Sequence, residues 1–129
     1  EGVSQNSKEA VKYYRLAGEQ GFADAQNNLG VAYDQGEGVD TDYKEAMKWY
    51  LLAAKGGNKD APNNIGVFYM IGLGVPRNFE KAHTWFTITG AGDSEAIRNK
   101  NFVEKKLTSD QLAESKRQAE EWRKIWLKR

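Results

Sequence analysis

Between residues 24 and 57 the apolar and small positions fall into two helical stripes. Ala25, Leu29, Ala32 and Tyr33 recur at i, i+4, i+7 and i+8, and Ala46, Trp49, Tyr50, Ala53 and Ala54 at i, i+3, i+4, i+7 and i+8. That period puts each set on one face of an amphipathic helix and excludes the strict alternation of a half-buried strand. Between the stripes, Gly36 stands where a helix ends in a left-handed residue, and Gly38-Val39 can reverse the chain while offering valine as an apolar plug. Asp42 then offers a carboxylate to the free N–H groups of the second helix, and Gly57 closes it. The unit predicted is a pair of antiparallel helices.

The same unit occurs again at an offset of 66 − 30 = 36 residues, where "GVAYDQGEGV" is answered by "GVFYMIGLGV". Ala25/Ala61, Asn28/Asn64, Leu29/Ile65, Gly30/Gly66, Tyr33/Tyr69, Gly36/Gly72, Gly38/Gly74, Ala46/Ala82, Trp49/Trp85 and Tyr50/Phe86 coincide. A fixed period in this range is the mark of an array whose units bury their apolar faces against their neighbours. One step upstream the register reaches Asn6, Ala10, Tyr13, Tyr14 and Ala17, so residues 1–22 read as the second half of a repeat. The expectation drawn from this is a fragment of a longer protein with further units before Glu1. Downstream the pattern decays: Ala96 and Asn99 keep the register after a one-residue deletion, but Lys100 replaces Leu29 and Ile65, as expected of a terminal cap. Thr108-Ser109-Asp110-Gln111 spells a capping box, and Leu112, Ser115, Ala119, Trp122 and Trp126 line one face of a last helix. The chain is thus expected to be all-α, with helices at about 7–20, 24–35, 42–55, 60–71, 78–90, 94–106 and 109–127. It reads as one repeat domain divided at 1–22, 23–58, 59–93 and 94–129.

The element A-x-x-N-[LI]-G-x-x-Y-x-x-G-x-G-V followed by [DN]-[YF]-x-x-A-x-x-W-[YF], carried by Ala25 to Tyr50 and again by Ala61 to Phe86, resembles the Sel-one-like repeat, a relative of the tetratricopeptide repeat. Tyr13 in place of tryptophan, Thr89-Gly90 in place of Ala53-Ala54, and the degenerate third first-helix depart from the pattern. The resemblance implies a right-handed α-solenoid, an α-α superhelix with a C-terminal capping helix, acting as a bacterial adaptor for protein partners without chemistry of its own. It also makes a periplasmic or secreted setting plausible.

In such a solenoid the first helices line the concave face, and this gives the candidate site. Opposite the core stripe, the first helix of one unit offers Asp24, Asn27, Val31, Asp34 and Gln35; the next offers Asp60, Asn63, Val67, Met70 and Ile71; the third adds Arg98 and Phe102, with Glu95 and Lys105. Amides that can pair with backbone groups, interspersed with apolar side chains, suit an extended peptide or a partner helix. Asn28 and Asn64 are assigned a structural task, satisfying inter-helix backbone groups.

The remaining chemistry is thin. His83, the only histidine, has no serine or carboxylate at i±4 along its helix and is assigned to packing or surface. The glycines at 36, 38, 72 and 74 match neither a dinucleotide fingerprint nor a phosphate loop. With 19 basic and 18 acidic residues the net charge is +1, which supplies no global pull toward nucleic acid, and no run of residues is apolar enough to insert in a membrane. No cofactor or metal is expected, and without cysteine no disulfide can form. Residues 95 to 129 hold ten Lys/Arg against six Asp/Glu, a net +4, leaving 9 − 12 = −3 for residues 1 to 94. That balance would suit an acidic partner surface joined by Trp122, Ile125 and Trp126; the favoured expectation is that these aromatics and Ile125 pack on the helix before it, while the basic residues complement the helix C-terminus and stay in solvent. A competing reading takes the aromatics and the carboxylates Asp24, Asp34 and Asp60 as a module that binds or hydrolyses envelope polysaccharide. Those carboxylates recur as repeat surface, with no sign of an acid and a base set apart by their environments.

Overall fold

A computed structural model describes the backbone of residues 2–90 and 92–126, with side chains within those bounds from residue 5 to residue 125. Among the described residues there are seven helices and no strand: α1 (Gly2–Glu19), α2 (Ala23–Gln35), α3 (Tyr43–Lys55), α4 (Ala61–Ile71), α5 (Phe79–Thr89), α6 (Ser94–Glu104) and α7 (Ser109–Trp126). The expected all-α class and helix order hold. The main difference lies at the start, where α1 begins at Gly2 and Asn6, the expected counterpart of the Asp42 cap, lies inside the helix. The caps at Asp42 and Asn78 follow a glycine turn out of a preceding helix, whereas Asn6 has helical residues on both sides.

The chain forms two compact units, Glu1–Ala61 and Pro62–Arg129. In the first, Val11 of α1, Leu29 and Ala32 of α2 and Trp49 of α3 form the core, with Tyr14, Tyr33 and Val39 packed around it. Removing each such side chain from water contributes about 1.5–3 kcal/mol for the larger ones. Val39 is the apolar plug expected of the turn. The turn itself is fixed by Gly36 at φ 71°: its N–H and that of Glu37 both donate to the Ala32 carbonyl, at 2.8 and 3.0 Å, and the Asp42 N–H reaches the Tyr33 carbonyl at 3.0 Å. The second unit repeats this with Gly72 and Leu73 donating to Phe68, and Asn78 to Tyr69. Here glycine is required for its left-handed backbone as well as for space, since a Cβ on Gly38 would stand 2.5 Å from the Ser7 carbonyl oxygen.

Two further glycines lie in the middle of helices. A Cβ on Gly30 would meet the Tyr50 ring at 2.6 Å, and one on Gly66 would meet the Phe86 ring at 2.5 Å. Each second helix thus seats an aromatic ring directly on the backbone of its first helix, which accounts for the paired Gly and Tyr/Phe positions 20 residues apart (50 − 30 and 86 − 66). Helix propensity is sacrificed, at about 1 kcal/mol per glycine, to close approach.

In the second unit Ala82, Phe86, Ala96 and Val103 form the core, with Val67, Tyr69, Met70 and Phe79 packed against it. The capping box of α7 forms as expected: the Gln111 N–H donates to Thr108 Oγ1 at 3.1 Å and the Thr108 N–H to Gln111 Oε1 at 2.9 Å. The placement of α7 corrects the expectation. Trp122 packs on Trp85 of α5 with centroids 5.7 Å apart, and Arg123 donates to the Thr87 carbonyl at 2.6 Å, so the aromatic and one basic residue dock on α5. The apolar stripe of α6 is interrupted by the half-buried Lys100, which leaves α5 as the better surface. Ile125 is exposed, and the side chain of Trp126 lies outside the described residues.

Candidate functional site

The first helix of each unit divides into sectors by what touches it. On α2, Leu29 and Ala32 belong to the core with Val11 and Trp49. A second sector faces α3: Ala23 lies against Gly56, Gly30 takes the Tyr50 ring, and Asp34 Oδ2 accepts the Tyr50 hydroxyl at 2.9 Å. Burial raises the Asp34 carboxyl above the usual range, opposed by the Tyr50 hydrogen bond, and burial together with the neighbouring Asp34 charge pushes the Tyr50 phenol well above its usual range. What remains open is the stripe Asp24, Asn28, Val31 and Gln35, at i, i+4, i+7 and i+11.

Three of the five residues expected on this helix, Asp24, Val31 and Gln35, lie in the open sector. Asn27 does not: it is 7% exposed, as Asn63 is 5% exposed in the second unit, so neither amide is offered to a partner. Asp34 is half-buried and spent on Tyr50. Conversely Asn28, assigned to inter-helix satisfaction, is exposed; the amide that ties α2 to the backbone of α1 is Gln26, whose Nε2 donates to the Gly18 carbonyl at 2.9 Å. Helix periodicity alone leaves every position opposite the core stripe open to solvent. Gly30 admits the Tyr50 ring and so brings α3 against one flank, which leaves the open face beside Asn28 and Gln35.

The open stripe of α2 borders a groove whose far wall is α1. One end, of about 210 Å³, is lined by Ser7, Ala10, Tyr14, Asn28, Val31 and Glu37 among others; the other, of about 330 Å³, by Tyr13, Tyr14, Ala17, Phe22, Asp24 and Asn28. Tyr14 and Asn28 belong to both ends. Tyr13 is 67% exposed and Phe22 61%, whereas the register equivalents of Tyr13, Trp49 and Trp85, are buried. The groove lining includes no lysine or arginine and carries Glu37 and Asp24 at its two ends. Asp24 also accepts from Asn58 Nδ2 at 2.9 Å, while Asn58 Oδ1 accepts from the N–H groups of Asp60 and Ala61 ahead of α4.

In the second unit the expected strip is more deeply engaged. Val67 and Met70 are half-buried on the core cluster, which corrects their reading as exposed apolar spots. Ile71 is 56% exposed, and Arg98 is exposed on α6. Phe102 is half-exposed, edge-on to Phe79 at 6.4 Å with the Lys106 ammonium 5.3 Å from its ring. Asp60 stands exposed just before α4.

The single histidine proves to be part of a buried network that no local spacing could reveal. His83 on α5 places Nδ1 2.6 Å from Ser115 Oγ on α7 and Nε2 2.8 Å from Glu104 Oε2 on α6, and Ser115 Oγ lies 3.0 Å from Thr84 Oγ1. A serine, an imidazole and a carboxylate in sequence are the parts of a nucleophilic triad. Ser115 is 0% exposed, however, so its oxygen has no room for a reacting carbon within 3 Å. The network satisfies buried polar groups and fixes α6 and α7 in register on α5. Among the described residues no group of three His, Cys, Asp or Glu could hold a metal, and no helix is long and apolar enough to cross a membrane.

The Sel1 repeat model matches residues 1–22, 23–58 and 60–90. Among solved structures, the chain is similar to a protective antigen present in uropathogenic Escherichia coli strains and displaying an SLR fold, with a TM-score of 0.87 and 36% identity over 92% of this chain and 26% of the antigen. It is also similar to a Sel1 repeat protein from Oxalobacter formigenes, with a TM-score of 0.67 and 35% identity over 74% of this chain and 40% of that protein. The chain therefore spans about a quarter of the first protein's length and two fifths of the second's. No curated protein matches it. The repeated glycine turns, the aromatic rings seated on mid-helix glycines and the match of the family model to three successive segments agree, and the chain belongs to the Sel1 repeat family.

Proposed function

We propose that the chain is a non-enzymatic protein-interaction scaffold, and that an extended segment of a protein partner lies in the groove between α1 and the open stripe of α2. The observation that carries this reading is the division of labour on α2. Leu29, Gly30 and Ala32 hold the fold, while the exposed Asn28 and Gln35 and the half-buried Val31 line or border an open groove. An amide between apolar and aromatic walls can pair with a backbone group while neighbouring side chains are buried. Asp24 lines the same groove, and Asp60 lies exposed just before α4; in the second unit Ile71 of α4 and Arg98 and Phe102 of α6 are proposed as partner contacts in their own right, on their exposure.

The test is selection of peptides from a displayed library by the wild-type chain, followed by affinity measurement on an Asn28→Ala/Val31→Glu variant. Both positions lie outside the core, so the helical circular dichroism should be unchanged while selected peptides bind at least about ten-fold more weakly, a difference of about 1.4 kcal/mol. Peptides that bind the variant as tightly as the wild type would remove this groove from consideration.

A further inference from the structure

Lys100 is the residue of α6 that breaks the repeat. Its register equivalents Leu29 and Ile65 are wholly buried aliphatics, and the lysine stands half-buried in their place. Among the described residues no carboxylate pairs with it: Glu104, one turn further along, is bound to His83. A half-buried lysine whose stem is covered and whose ammonium has no counter-charge is available to any anion that can reach it.

The surroundings make such an anion possible. Lys100 lines a cavity of about 450 Å³ in the second unit, together with Phe86, Thr87, Ile97, Asn101 and Arg123. No acidic residue belongs to the lining. Arg123 uses one N–H on the Thr87 carbonyl at 2.6 Å, which fixes the guanidinium and leaves other donors of its planar fork. Thr87 Oγ1 is buried without a hydrogen-bond partner, and such orphaned polar atoms call for a cause. Two cations and an amide against apolar walls from Phe86 and Ile97 describe a receptor for a small organic anion with an apolar body.

We propose that this cavity binds an organic carboxylate that carries a compact apolar group, with Lys100 and Arg123 holding the carboxylate and Phe86 and Ile97 contacting the apolar part. The planar carboxylate fits the arginine fork, and the apolar walls disfavour a bare inorganic anion. Both a free carboxylic acid and the last residue of a peptide have this chemistry. The site is built from residues of the second unit and shares none with the α1–α2 groove, so it stands or falls independently of the scaffold reading.

Calorimetric titration of the full chain with N-acetyl-leucine, N-acetyl-leucinamide, inorganic phosphate and a short peptide ending in a free leucine tests the assignment. Saturable binding of the free acid is expected, with the amide and phosphate at least about ten-fold weaker and with affinity falling as salt is added. A peptide much tighter than N-acetyl-leucine identifies a chain terminus as the source, and equal affinity identifies the free acid. Lys100→Leu restores the aliphatic of the other repeats, so it should fold with a Tm at or above wild type while losing at least about ten-fold in affinity; Lys100→Gln keeps the polarity and should lose it likewise. Equal binding of acid and amide, undiminished binding by both variants, or no saturable binding up to about 10 mM would overturn the proposal.

Discussion

A single methyl group at Gly66 tests how the two helices of a unit are joined. Gly66→Ala places a Cβ 2.5, 2.6 and 3.0 Å from Cε1, Cδ1 and Cζ of Phe86, whereas carbon atoms rest about 3.5–4.0 Å apart. The ring is 1% exposed and seated on the Gly66 backbone, so either it or that backbone must retreat by about 1 Å. Overpacking of this kind costs about 1–3 kcal/mol, while alanine gains about 1 kcal/mol over glycine in a helix. The net expectation is a loss of about 1 kcal/mol, or a Tm lower by about 4 °C for a domain near this size. Thermal and urea unfolding followed by circular dichroism would read it, with Gly92→Ala as control, because a Cβ there meets nothing within 4 Å. The decisive measurement is the same substitution made in a Phe86→Leu background. If the ring causes the loss, removing its far edge should turn Gly66→Ala toward stabilisation, leaving a coupling of about 1 kcal/mol or more. Additive effects, or a Gly66→Ala chain more stable than wild type, would refute the reasoning.

Two other outcomes follow from buried polar groups. Burial raises the folded carboxyl of Asp34, so its contribution is present below the unfolded value of 3.8 and is lost as pH rises through the higher folded value. Asp34→Asn can still accept the Tyr50 hydroxyl and does not ionise, so its Tm relative to wild type should climb as pH is raised from about 3 to 6; a flat difference would count against burial as the cause. Ser115→Ala strips His83 Nδ1 of its buried partner and should cost about 1–3 kcal/mol in urea unfolding, more than Glu104→Gln at the half-exposed end of the network; a neutral Ser115→Ala would show that the network does not hold α7.

The helices, the turns and the family were legible in the chain because each rests on local rules. Gly36 and Gly72 end helices through backbone conformation, Asp42, Asn78 and Thr108 cap the N–H groups three residues on, and the 36-residue register pairs Gly36 with Gly72 and Asp42 with Asn78. What the local rules left open is which flank of a helix meets its neighbour. The core stripe of Leu29 and Ala32 is visible in sequence, but the second buried flank of α2 exists because Gly30 admits the Tyr50 ring, a contact across 20 residues, and it carried Asn27 and Asp34 out of the candidate surface. Likewise Val67 and Met70 look exposed by periodicity and are half-buried by packing.

The histidine network and the Lys100 cavity lay further from reach. Glu104, His83 and Ser115 stand 21 and 32 residues apart on three helices, and no spacing along one helix relates them. Lys100 was visible as a break in the stripe, yet only packing places Arg123 and Thr87 beside it. Sequence by itself determined the periodic elements, since helix, turn and cap are each settled by a few consecutive residues. The tertiary structure decided which side chains face a partner, because burial depends on the neighbouring helices and on how closely a glycine lets them come.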